Sequence, residues 1–97
     1  MDKVLTPADF APHLGKVFRA DGQPQALTFV SLDDRQRPGW PEDMRQPFSL
    51  ILRGEPSPVL AEGFYHFTIQ DGPGFDLYIM PIHTPSRAHQ DYQIAFN

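Results

Sequence analysis

Cysteine is absent from this 97-residue chain, which removes disulfides, thiol chemistry and Cys-based zinc sites together. A cysteine-free domain suits reducing and oxidising surroundings alike. No run approaches the ~20 apolar residues of a membrane helix, so no membrane partner is expected. The start, Met1-Asp2-Lys3-Val4-Leu5-Thr6-Pro7, reaches a proline before any apolar core develops and does not read as a secretory signal. Cytoplasmic synthesis is the expected default, with the final location left open. Clustered cations are missing too: eight Lys and Arg stand against twelve Asp and Glu, a formal charge of −4, and the arginines are isolated. Nucleic-acid binding without sequence preference relies on such clusters, so no nucleic-acid partner is expected. No fixed period and no low-complexity segment occur, which argues against a solenoid or propeller.

What is present is a series of short apolar runs fenced by Pro, Gly and Asp: Lys16–Ala20, Ala26–Leu32, Phe48–Leu52, Phe64–Ile69, Phe75–Ile82 and Tyr92–Phe96. This pattern predicts an all-β, mainly antiparallel fold, a six-stranded small barrel or sandwich, in a single β-domain over residues 1–97. Alternation selects a core of Phe29, Phe48, Leu50, Phe67, Leu77, Ile79, Ile94 and Phe96. Leu27 and Phe29 share one face of the second strand, Val30 and Leu32 the other, with a phase change or bulge between them. Asp21-Gly22 and Asp71-Gly72-Pro73-Gly74 read as hairpin turns.

Before the strands lies an N-terminal helical cap over residues 5–15. Thr6 suits the N-cap, Pro7 the first helical position, and Leu5 with Phe10 a hydrophobic staple; Gly15 offers the left-handed stop. Pro12 limits its regularity, and Phe10 and Leu14 would share its inner face. Residues 33–46 carry seven charges with Pro38, Gly39 and Pro41 in fourteen residues, and read as a long exposed loop. Trp40 within it folds back as a lid on the barrel end or anchors a protein partner. Arg35, Arg37 and Arg45 favour contact, because Trp and Arg are enriched in interface hot spots.

Residue sets that could carry chemistry are weak in pattern. His83, His89 and Asp91 offer imidazole and carboxylate to zinc or iron, with Pro85 to turn the chain, but match no ligand spacing. Ser49 or Ser57 with His66 and Asp76 can be written as a triad, yet neither serine sits in a glycine-flanked elbow. Asp33-Asp34 and Glu42-Asp43 read as solvated acids, and Gly72-Pro73-Gly74 as a turn rather than a phosphate cradle. No catalytic residue, metal or cofactor is assigned.

Leu5-Thr6-Pro7-Ala8-Asp9-Phe10 with His13-Leu14-Gly15, then Pro47-Phe48-Ser49-Leu50-Ile51-Leu52-Arg53-Gly54, Glu62-Gly63-Phe64-Tyr65, Leu77-Tyr78-Ile79-Met80-Pro81-Ile82 and Tyr92-Gln93-Ile94-Ala95-Phe96-Asn97 follow one another along almost the whole chain. In this order the chain resembles a small family of functionally uncharacterised bacterial domains, some encoded beside proteins that look like phage tail-collar or short tail-fibre components. The resemblance implies an accessory role in assembling or capping such fibre-like proteins, and no catalytic residues.

The expected function is therefore a non-enzymatic protein-interaction or assembly domain. It would bind a protein partner through a sheet edge and the loop carrying Arg35, Arg37, Trp40 and Arg45. Two alternatives stand beside it: a homo-oligomeric structural subunit of a ring or fibre, and a small-molecule-binding domain or minor hydrolase with a pocket near His66 and Tyr78. The last strand is either a free edge or closes a barrel against the N-terminal strand.

Overall fold

The strands alternate because apolar side chains recur every second residue, and the six that result close into a ring. The structure, a computed structural model, describes residues 5–34, 38–39, 41 and 47–96. A single helical turn α1 (Pro7–Phe10) and a 3₁₀ turn (Ala11–His13) precede β1 (Val17–Ala20), β2 (Ala26–Asp33), β3 (Phe48–Gly54), β4 (Gly63–Ile69), β5 (Gly74–Pro81) and β6 (Gln90–Phe96). The order around the closed barrel is β1-β2-β3-β6-β5-β4. Every neighbouring pair is antiparallel.

The barrel closes as one of the two readings of the last strand has it, but with other strand partners. β6 is neither a free edge nor a partner of β1. It lies between β3, along Phe48↔Phe96 to Gly54↔Gln90, and β5, at Met80↔Gln93 and Pro81↔Tyr92. The ring is closed by β1 against β4, with Phe18 opposite Ile69. The last strand is thus paired along its length on the β3 side and at Tyr92 and Gln93 on the β5 side.

Inside the ring, Phe29, Phe48, Leu50, Phe67, Leu77, Ile79 and Ile94 are buried, as alternation predicts, together with Phe18, Leu27, Leu52, Ile69 and Tyr92. Each such side chain contributes about 1.5–3 kcal/mol by leaving water. Phe96 lies at the rim, partly buried against the same core. Around it Phe10 places its ring 4.9 Å from Phe75 and 5.3 Å from Phe96, while Phe48 stacks on Phe96 at 4.5 Å. The N-terminal turn therefore plugs the end of the barrel between β5 and β6 with a fully buried phenylalanine.

Two local expectations change. The bulge in β2 does fall between Phe29 and Ser31, but it returns Leu32 to the inner side, opposite Leu50, rather than leaving it outside with Val30. Leu14 does not share the inner face with Phe10; it is 53% exposed. Pro12 tightens the helix to a 3₁₀ turn, and Leu14 leaves it with ψ 131° before Gly15 turns at φ 88°. Three-residue periodicity rotates Leu14 off the face on which a regular α-helix would have set it.

Candidate interaction face

Strand pairing decides which side chains meet on the outside of the barrel. The Ile69 amide donates to the Pro73 carbonyl, and the Asp21 amide donates to the His66 carbonyl. The backbone groups of His66 thus face β1, which makes His66↔Asp76 and Phe64↔Tyr78 the non-hydrogen-bonded pairs of β4 and β5. Side chains approach most closely at such pairs. All four point away from the core, because Tyr65, Phe67 and Ile69 alternate with them on the inside.

Phe64 is 76% exposed, the most exposed large apolar side chain among the described residues, and Tyr78 is 38% exposed. Their rings lie 5.1 Å apart at 72°. The Tyr78 hydroxyl donates to the Glu62 carboxylate. That hydrogen bond, with smaller contributions from desolvation and the carboxylate charge, raises the Tyr78 pKa above the ordinary phenol value. Beside them His66 Nδ1 and Asp76 Oδ1 are 2.8 Å apart, both side chains open to water. The imidazole lies over Gly74, where an added Cβ would stand 2.9 Å from His66 Nε2. Glycine keeps room for the ring there.

Glu62 is held in place by an anchored connection. Buried Gln25 donates to the Pro58 carbonyl and accepts from the Glu55 amide at 3.2 Å. The Leu60 amide donates to the Tyr92 hydroxyl at 2.9 Å, and the Tyr65 hydroxyl to the Ala61 carbonyl at 2.7 Å. Residues 55–62 are therefore tied to the barrel wall along their length, and Glu62 enters β4 at a fixed place.

The other candidate clusters are already engaged. Asp91 takes a two-pronged contact from Arg53, Nε to Oδ1 at 2.9 Å and a terminal guanidinium nitrogen to Oδ2 at 3.2 Å. This hydrogen bonding raises the Arg53 pKa. His89 Nε2 stands 3.7 Å from Asp91 Oδ1, while His83 is exposed. No group of three or more metal-ligating side chains forms among the described residues. The His66–Asp76 part of the written triad does form, but among the described residues no serine hydroxyl is hydrogen-bonded to His66, and the pair sits on an open face. An open groove is lined by Val17 and Arg19 of β1 and by Thr68, Ile69, Gln70 and Asp71 at the end of β4. His13 Nδ1 is buried with no hydrogen-bond partner among the described residues, its ring against Gly72.

Arg35, Arg37, Trp40 and Arg45 lie outside the described residues. Sequence reading passed over Phe64 and Glu62 as site residues, although the signal was present: Phe64 and Tyr78 are aromatic at the outward phase of strands whose inward phase was already apolar. No helix among the described residues is long and apolar enough to cross a membrane.

A family model described as "Domain of unknown function (DUF6916)" matches residues 5–96. No curated protein and no solved structure matches the chain.

Proposed function

The chain belongs to the DUF6916 family, a domain of unknown function, and we propose that it serves as a non-enzymatic interaction and assembly domain whose contact surface is the outer face of β4 and β5. The observation that carries this reading is the exposed Phe64 ring set against Tyr78, with polar Glu62, His66 and Asp76 around it. An aromatic centre with a polar rim is the anatomy of a protein-binding hot spot. Arg35, Arg37, Trp40 and Arg45 supply a second contact segment on the same argument from residue type. The resemblance to bacterial domains encoded beside tail-collar and fibre-like proteins makes such a protein the partner of choice, with the domain acting as an assembly accessory.

A homo-oligomeric ring or fibre subunit is the second reading, in which the patch meets a different surface of the next copy head to tail. A twofold dimer through the patch itself would instead bring Glu62 and Asp76 close to their own copies, and like charges oppose it. The open, solvated setting of the His66–Asp76 pair favours contact over catalysis in a water-excluding cleft.

A photo-crosslinking amino acid placed at Phe64 tests the reading, with the same group at exposed Ser31 of β2 as control. The expected result is an adduct with a co-expressed fibre-like protein from position 64 and none from position 31. Adducts from 31 alone would place the contact elsewhere on the barrel, and self-adducts alone would favour the oligomer.

A further inference from the structure

We infer that the Phe64–Tyr78 face receives a cationic side chain, arginine or lysine, presented by a protein partner; this rests on the interaction reading above and specifies the partner's chemistry. The two rings stand at 72° with centroids 5.1 Å apart, so their faces look in different directions from one exposed spot. An aromatic face carries negative quadrupolar charge and attracts a cation placed over it. Glu62 adds a carboxylate at the Tyr78 hydroxyl, and because Tyr78 is the donor, the carboxylate retains lone pairs for a further donor. Asp76, with its side chain 80% exposed, lies on the next pair along the strands, roughly 7 Å away by strand geometry. A guanidinium on the rings reaches either acid.

Among the described residues, the strands that build the face carry no lysine or arginine beside these acids. From residue 54 to residue 86 the sequence contains no lysine or arginine, against the four acids Glu55, Glu62, Asp71 and Asp76. His66 is engaged with Asp76, and Arg19, on the neighbouring strand, lies opposite Thr68 rather than Phe64. An exposed apolar pair rimmed by acids is complementary to an aliphatic stem ending in a positive charge. The stem covers the ring surface while the head meets the carboxylates.

The test is a chemical-shift titration of the isotope-labelled full chain with acetyl-arginine methylamide, run against its uncharged isostere acetyl-citrulline methylamide. The expected result is saturable shifts at Glu62, Phe64 and Tyr78 with arginine, at least about fivefold weaker binding of citrulline, and loss of the arginine response in Phe64→Ala. Glu62→Gln and Asp76→Asn should each weaken arginine binding at least about twofold, and high salt should weaken it further. Equal binding of citrulline, or no shift with arginine, would overturn the inference. The crosslink from position 64 does not depend on the partner's charge. Its presence alongside a failed titration would therefore reject the cation while keeping the interaction face, and its absence would reject the face itself.

Discussion

Tyr78 and Glu62 give the clearest consequence of a single contact. A phenol whose pKa is raised in the folded state is bonded in its neutral form, so the stability it contributes is fully present below the unfolded value of about 10 and is lost as pH rises through the higher folded value. A pH titration followed at the Tyr78 ring should show late ionisation, and Glu62→Gln should bring it back toward the ordinary value. Unchanged titration in that variant would mean the hydrogen bond is not the cause. Gly54 shows the same logic in packing. An added Cβ would stand 2.4 Å from Leu27 Cδ2 and 2.9 Å from Gln25 Oε1, and both side chains are buried. Gly54→Ala should therefore cost about 1–3 kcal/mol in chemical denaturation, the range for overpacking a core. A neutral result would show that β3 shifts at little cost. Inward positions such as Phe67 and Ile79 were legible from alternation alone. Phe64 was legible as outward but not as significant, since a lone outward aromatic gains meaning only from its cross-strand partner.

The N-terminal turn illustrates what local sequence signals can and cannot decide. Thr6, Pro7 and Asp9 mark a helix start, and the structure realises it through the Asp9 carboxylate, which accepts from the Thr6 amide at 2.8 Å and the Thr6 hydroxyl at 3.1 Å. The capping acceptor is thus Asp9 more than Thr6. Asp9→Ala should lose about 0.5–2 kcal/mol, and Thr6→Ala less than that, by the shift in denaturation midpoint. The reverse order would assign the cap to the hydroxyl. Helix length was not legible, because a proline in the second turn converts the period from 3.6 to 3 and no spacing rule fixes where that happens. The β2 bulge was legible as a break in phase between Phe29 and Val30. Its outcome for Leu32 was not, since one extra residue resets every later side chain and only the pairing with Leu50 decides the side.

Closure is a property of the whole molecule, and this is where sequence said least. Strand number and turn positions follow from local pattern, but the pairing of β6 with β3 and of β1 with β4 joins segments far apart in the chain. Such non-local order leaves no periodic trace, so a free edge and a barrel were both compatible with the same strands. Under the proposed function, with β6 paired along β3 and at Tyr92 and Gln93 to β5, a partner is met by side chains of the outer wall, and the most exposed of the large apolar ones among the described residues is Phe64. The most direct measurement of that claim is the dissociation constant of Phe64→Ala for a fibre-like partner, taken together with its melting temperature. Affinity should fall at least about tenfold, or about 1.4 kcal/mol, with the melting temperature nearly unchanged, because a side chain 76% exposed contributes little to the core. Full affinity in a folded Phe64→Ala protein would contradict the account.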